Sequence, residues 1–239
     1  MQLLDLTLPT PEENLALDEA LLNQAERGDR PGDLLRLWQP VDPLVVIGRA
    51  SKRYEEVNID ACLTHGVPVL RRTSGGAAIV TGRGCLMYAV VLSYDLHPEL
   101  HALDQCHQYV MGRIQKALAQ DIPEITFQGT CDLTYRGKKF SGNSLRCKRT
   151  HLIYHGTILY DFDLPLIHEL LRQPPRMPDY RENRPHDTFV INVPIREDRL
   201  RAHLKKAWEV EGELTTWPQE ETAQLATDKY ADPAWTTMR

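Results

Sequence analysis

The stretch ITFQGTCDLTYRGKKFSGNSLRCKRTHLIYHGTILY, residues 125–160, alternates short apolar or β-branched runs with turn residues. Ile125–Phe127, Cys131–Tyr135, Lys139–Ser141 and Leu152–Tyr160 read as strands. Arg136-Gly137-Lys138 supplies a hairpin turn. Upstream, Leu34–Trp38 and Leu44–Ile47 read as two strands joined by a tight turn at Gln39-Pro-Val-Asp-Pro43, and Val67–Leu70 as another. Ala77–Val80 and Leu86–Leu92 read as a hairpin pair around Thr81-Gly-Arg-Gly84. Helical periodicity appears over 12–26, where Leu15, Leu17, Ala20, Leu21 and Leu22 gather on one face. Pro11 suits the first turn of that helix and Gly28 its stop. A second helix is predicted over 102–120, with Cys106, Val110, Ile114, Ala117 and Leu118 on one side, and others over 165–172 and 196–209. Residues 173–193, rich in proline and charge, read as an ordered loop or lid. Helices scattered among hairpins, without a βαβ rhythm, predict one α+β domain over 1–239: a mostly antiparallel or mixed β-sheet flanked by helices.

The 239 residues are 42% apolar and 26% charged, enough for a substantial core. A net charge of −5 gives no basic face for nucleic acid. No apolar run approaches the ~20 residues that span a bilayer. Met1-Gln-Leu-Leu-Asp5 lacks a basic segment followed by an apolar one, so no signal peptide is expected. The five cysteines are odd in number, irregularly spaced and without a C-x-x-C pair, which predicts neither a disulfide framework nor a zinc site. The expectation is a cytoplasmic monomer without membrane or nucleic-acid partners.

Three short segments carry chemistry. In Arg71-Arg-Thr-Ser-Gly-Gly-Ala-Ala78, adjacent glycines let backbone N–H groups approach an anion, and arginine adds a planar charged fork. The plainer reading is a glycine turn with two solvated arginines; the segment is neither a Walker loop nor a dinucleotide fingerprint. In Asp132-Leu … Gly137-Lys-Lys-Phe-Ser-Gly142, strand alternation places Lys139 and Ser141 on one face and Lys138 on the other. A lysine held inward could stabilise charge on a phosphate or acyl oxygen. Asp132 could hold a magnesium ion or fix the lysine. The plainer reading is a solvated turn. In Tyr154-His-Gly-Thr-Ile-Leu159, a glycine interrupting an apolar strand marks a close approach. His155 as a general base would need a partner that the sequence does not reveal.

In this order the three segments resemble the biotin/lipoate A/B protein ligase family. Its lipoate ligases carry R-R-x-S-G-G-G-A-V, here Arg71–Ile79, then N-D-L … G-x-K-[VIF]-S-G-[SN]-[AS], here Cys131–Leu133 and Lys138–Ser144. H-H-G-T-[LI]-L follows, here Tyr154–Leu159. Asn14–Leu21, Val45–Arg49 and the Lys229-Tyr … Trp235 close extend the likeness over nearly the whole chain. The resemblance implies a class II aminoacyl-tRNA synthetase/biotin ligase-like catalytic domain and an ATP-dependent ligase. Lipoate or octanoate would be activated to the acyl-adenylate and passed to a lysine of a lipoyl-domain or lipoate-binding carrier protein. It makes Lys139 the catalytic lysine, contacting both acyl carboxylate and α-phosphate. Arg72 and Ala77, Ala78, Ile79 and Val80 become nucleotide contacts, with Asp132 by the phosphates and Mg²⁺. Arg49, Ser74, Gly75, Gly76, Ser141, Gly142, His155 and Gly156 become lipoate contacts. Arg181, Arg184 and His186 in the 179–193 stretch would close over phosphate as a lid.

Departures bear on acyl choice and nucleotide grip. The third glycine is Ala77, the family's His-Asp is Thr81-Gly82, the Asn before Asp132 is Cys131, and the first paired histidine is Tyr154. The same fold hosts ATP-independent octanoyltransferases and amidotransferases with a cysteine nucleophile. In those most similar, the nucleophile stands a few residues before the Asp-Leu pair, where this chain has Phe127; Cys131 and Cys147 are nearby. A biotin ligase loop, G-R-G-R-x-G-R, is missing. A non-catalytic lipoate-binding subunit is a further alternative. The short stretch beyond Gly212 leaves no room for the accessory domain of longer ligases, so a separately encoded partner subunit is a possible requirement.

Overall fold

A computed structural model describes residues 1–29 and 32–238. The elements run β1 (Gln2–Asp5), α1 (Pro11–Glu26), β2 (Leu34–Trp38), β3 (Leu44–Ile47), α2 (Arg53–Glu56), α3 (Ile59–His65), β4 (Val69–Arg71), β5 (Ile79–Thr81) and β6 (Cys85–Ser93). They continue α4 (Leu103–Leu118), β7 (Ile125–Gln128), β8 (Asp132–Tyr135), β9 (Lys138–Cys147), β10 (His151–Leu159), α5 (Pro165–Leu170), α6 (His186–Phe189), α7 (Glu197–Ala207), β11 (Gly212–Glu213), α8 (Gln219–Leu225) and α9 (Pro233–Thr237). One sheet of eight strands has the order β11-β1-β2-β6-β10-β9-β8-β7, and a second of three has the order β4-β3-β5. All neighbours from β2 to β7 are antiparallel, while β1 pairs in parallel with both β2 and β11. The expected α+β class with a mostly antiparallel, mixed sheet flanked by helices is what forms.

Strand alternation explains the layers. Leu35, Leu37, Tyr88, Val90, Leu92, Leu152 and Tyr154 point to one face and meet Val110, Ile114 and Leu118 of α4 and Leu200 and Leu204 of α7. Their alternates Leu34, Ala89, Val91 and Ile153 point to the other face and meet Leu17, Leu21 and Leu22 of α1. With both faces covered, all nine residues of β6 are buried. A capping box holds the start of α1: Glu13 N–H donates to the Thr10 hydroxyl at 3.2 Å, and Thr10 N–H to the Glu13 carboxylate at 3.0 Å. Pro11 occupies its first turn. No helix among the described residues is long and apolar enough to cross a membrane.

Two expected pairings do not form. β2 and β3 have the expected limits, but the Gln39–Pro43 connection is not a hairpin: β2 joins the large sheet and β3 the small one. Likewise β5 and β6 are not partners, because β5 pairs with β3 and β6 lies between β2 and β10. Local turn residues mark where a strand stops; they do not say which neighbour buries its apolar face. The two excursions carry the chain between sheets, and the glycine segment sits at the seam. The 136–137 hairpin does form, with φ of 51° at Arg136 and 71° at Gly137, as a two-residue turn between antiparallel strands prefers.

Candidate functional site

The glycine segment leaves β4 and folds over the end of β3. A side chain at Gly48 would place its Cβ 1.9 Å from the Gly76 carbonyl oxygen, so glycine there is a condition of this contact. Gly76 itself has φ +86°, a conformation suited to glycine. Both arginines are buried, contrary to the solvated reading. Arg71 donates to the carbonyls of Gly48, Arg49 and Ser51 at 2.8–3.0 Å and, on its other edge, to those of Trp235 and Thr236. Trp235 Nε1 answers to the Arg71 carbonyl at 2.8 Å, so α9 anchors the loop from behind. Arg72 donates to the carbonyls of Val46, Gly75 and Ala77 and to the Ser74 hydroxyl. Burial draws its guanidinium down to about 10, against the opposing pull of Glu56. Thus Arg72 shapes the loop from within, while Gly75, Gly76 and Ala77 are exposed on its outer side.

Lys139 stands on β9, and here strict alternation fails. Leu133 lies opposite Ser141, yet Thr134 lies opposite Lys139, so Phe140 is an extra residue and the register shifts. Adjacent Leu133 and Thr134 face opposite ways; Ser141 and Lys139 therefore do too, and the expectation that they share a face is wrong. Ser141 turns to Asn143, whose amide donates to its hydroxyl at 3.1 Å. Lys139 instead shares a face with Asp132 and Gly142. Its ammonium is 2.8 Å from one Asp132 oxygen, and the Tyr180 hydroxyl donates to the other at 2.7 Å. Asp132 fixes the lysine, one of the two roles its position offered. Among the described residues no cluster of three or more His, Cys, Asp or Glu side chains could cage a metal.

His155 does have a partner, which the sequence reading missed. Its Nδ1 lies 3.1 Å from Asp18 on α1, and its Nε2 2.6 Å from the Ser74 hydroxyl. Asp18 is buried against Arg36 at 2.5 Å, and Arg36 also donates to the Asn14 carbonyl and side chain. Burial by itself would raise the Asp18 carboxyl, but Arg36 and His155 outweigh it and hold it below the ordinary range. The signal was Asp18 on the apolar side of a helix, where a charge needs a counter-charge. Gly156 is explained by the neighbouring strand: a Cβ there would stand 1.7 Å from the Asn143 side-chain oxygen.

Two cavities meet along this surface. The larger, about 830 Å³ out to its mouth, is walled by Glu56, Ala77, Ala78, Ile79, Val80, Asp132, Lys139, Thr157, Ile167, Leu171, Arg181, His186 and Val190 among others. The smaller, about 580 Å³, is walled by Leu15, Asp18, Val46, Arg72, Gly76, Met87, Asn143, Ser144, His155 and Gly156 among others. Ala77, Ala78, Ile79, Lys139, Gly142 and Thr157 belong to both, so Lys139 stands at the junction. Arg49, Ser74 and Gly75 line neither cavity. The 173–193 segment is ordered, with α6 and a turn of 3₁₀ helix at Asp179–Arg181. Arg181 and His186 reach the larger cavity. Arg184 does not: it donates to the carbonyls of Gly137, Tyr180 and Arg181 and so knits the segment to the β8–β9 hairpin.

All five cysteines are free. Cys131 donates to the Asn143 carbonyl at 2.9 Å, and burial, reinforced by Asp132, pushes its thiol up to about 11. Cys147 is exposed at the far end of β9, eight residues and roughly 27 Å along the strand from Lys139. Phe127 packs against the main core.

A family model described as the lipoyl protein ligase A/B catalytic domain matches residues 10–211. A probable lipoate-protein ligase A of Mycoplasma pneumoniae is 29% identical over 153 residues, 64% of this chain and 43% of that protein. Its counterpart in Mycoplasma genitalium is 30% identical over 68% of this chain and 47% of its own length. The chain thus spans less than half the length of these two relatives. An octanoyltransferase LipM of Brevibacillus brevis is 25% identical, covering 96% of each chain. Among solved structures, a bi-partite lipoate protein ligase from Thermoplasma acidophilum superposes with a TM-score of 0.80 at 21% identity, over 99% of this chain and 95% of that one. A lipoate-protein ligase A bound with ATP gives 0.80 at 22%, over 99% and 98%. At these identities the structural likeness carries the fold.

Proposed function

The chain belongs to the lipoyl protein ligase A/B catalytic-domain family, and from that premise we propose that it is an ATP-dependent lipoate–protein ligase. One observation carries the reading: two cavities meet at Lys139, where a carboxylate from one side and an α-phosphate from the other would be brought together. Carboxylate attack on the α-phosphorus expels pyrophosphate and leaves the acyl-adenylate. The carrier lysine's amine then attacks the acyl carbon, and AMP departs. The first step sets two anions against each other, and the Lys139 ammonium offsets that repulsion. The pairing with Asp132 holds the ammonium at the junction. The acyl chain takes the smaller cavity, past Leu15, Val46 and Met87 towards His155. A magnesium ion would accompany the nucleotide's phosphates, with Asp132 as a carboxylate lining that cavity, and would supply charge neutralisation. Acceptors are lipoyl domains or lipoate-carrying proteins, with a separately encoded subunit as a further partner. The bi-partite ligase from T. acidophilum, described together with its E2 lipoyl domain, supports that reading.

A second reading, octanoyl transfer through a cysteine thioester, draws on the likeness to LipM. The thiols speak against it: Cys131 is pushed up to about 11, and Cys147 lies beyond the cavities. The test is mass spectrometry of a lipoyl acceptor domain after incubation with the chain, Mg-ATP and lipoate. Parallel reactions omit ATP, use Lys139→Ala, or supply octanoyl carrier protein instead. A lipoyl mass gain requiring ATP and Lys139 is expected. Modification from octanoyl carrier protein without ATP would overturn the reading. Lipoate binding with no adenylate, even with candidate partner subunits added, would favour a non-catalytic subunit.

A further inference from the structure

Glu56 is a buried acid in the larger cavity that the activation chemistry leaves unused. It ends α2 and is 6% exposed. One carboxylate oxygen accepts from the Ala78 N–H at 2.7 Å. The other has no hydrogen-bond partner among the described residues, yet it is not among the sealed, unpartnered buried atoms. It therefore opens to the cavity that Glu56 lines. Ala78, Val80, Ile167, Leu171 and Val190 make apolar walls there, and the charged groups Lys139, Asp132, Arg172, Arg176 and Arg181 line the same cavity. The main chain is pinned as well, since Arg172 N–H donates to the Glu56 carbonyl at 2.9 Å. A carboxylate oxygen accepts, so this site suits a ligand that brings a donor to an otherwise apolar wall.

We infer that Glu56 reads the exocyclic 6-amino group of a purine base and selects adenine against 6-oxo purines. The inference rests on the larger cavity being the nucleotide side of the proposed ligase. Adenine offers an N6–H donor where guanine and hypoxanthine offer the O6 acceptor. The donor satisfies the open oxygen, whereas O6 would set two acceptors face to face, out of water. A ribose hydroxyl is the other donor a nucleotide brings; the apolar walls favour the ring. The buried geometry makes this a specificity contact rather than a catalytic one.

The test is titration calorimetry of the whole chain with AMP, IMP and 2′-deoxyAMP, in the native sequence and in Glu56→Gln. The native chain should bind AMP about 10- to 100-fold more tightly than IMP. It should bind 2′-deoxyAMP within about threefold of AMP. In Glu56→Gln the amide oxygen can still accept from Ala78 while the NH₂ faces the base, so the AMP preference should close or invert. Equal binding of AMP and IMP by the native chain overturns the inference while leaving a nucleotide cavity in place. A tenfold penalty on 2′-deoxyAMP that Glu56→Gln removes reassigns the carboxylate to the sugar and overturns it too. Absence of any binding by the native chain removes the nucleotide reading itself. The AMP–IMP comparison in the native chain tests the inference even if the variant fails to fold.

Discussion

Replacing Gly142 by alanine perturbs the site by a single methyl. A Cβ at 142 would lie 2.8 Å from Lys139 Cε and 2.9 Å from its Nζ. Carbon contacts settle near ~3.5–4.0 Å, so the lysine's end must withdraw by roughly 0.7–1.2 Å. Withdrawal of that size stretches the 2.8 Å pairing with Asp132 beyond hydrogen-bond reach. It also moves the ammonium off the junction of the two cavities. A misplacement of about 1 Å in a positioned catalytic group costs on the order of 10²-fold, or about 2.7 kcal/mol in the barrier. Stability should barely change. Gly142 is not at positive φ, the obstructing atoms end a flexible side chain, and alanine loses less backbone entropy than glycine. The assay is lipoate-dependent ATP–pyrophosphate exchange, which isolates the activation step, alongside a thermal melt. A hundredfold loss of exchange at nearly unchanged Tm is expected. Exchange within threefold of the native chain would refute the argument, because it would mean that the lysine's position does not govern activation.

Arg36→Leu should destabilise the fold by about 3–5 kcal/mol in urea titrations, since it strands the buried Asp18 carboxylate; an effect below 1 kcal/mol would contradict the pairing at 2.5 Å. Cys131→Ser should retain ligation, and iodoacetamide near pH 8 should modify Cys147 well before Cys131, whose thiol is pushed up to about 11; peptide mass spectrometry reads both, and the reverse order would oppose this assignment. The Arg199 hydrogen bond, then that of His203, draws the Asp121 carboxyl down to about 2, so its contribution is present above its unfolded value of 3.8 and fades as pH falls from there towards 2. The Tm difference between native and Asp121→Asn chains should therefore narrow across that interval; a constant gap would show that the pairing of Asp121 with Arg199 and His203 of α7 does not carry it.

Elements written in local periodicity were legible: the limits of α1, α4, β2 and β3 follow from apolar spacing, a proline and a stop glycine. Sheet membership was not, because both connections misread as hairpins are set by which distant strand covers an apolar face. In the site, the chemistry-bearing segments were recognisable from residue type, and Lys139 does stand between two cavities. What escaped is geometry at the scale of one residue. The extra residue at Phe140 turns Ser141 away from the lysine, and period-two reasoning has no means to register a bulge. Asp18 and Glu56 escaped for a related reason: each acts on a residue brought near only by folding, His155 and Ala78 respectively. Arg72 looked like a ligand fork and is spent on the loop's own carbonyls, which residue type alone could not foretell.

The rear anchor of the glycine loop sets a schedule for synthesis. Arg71 reaches carbonyls 164 and 165 positions downstream, outside the stretch that matches the family model. At a synthesis rate of about 5–20 residues per second, the loop precedes its anchor by on the order of 10–30 s. Throughout that interval a fully charged, soon-to-be-buried guanidinium lacks its final acceptors. A nascent chain would therefore possess its lysine and most of its core before it possessed a settled loop, which waits on the synthesis of α9.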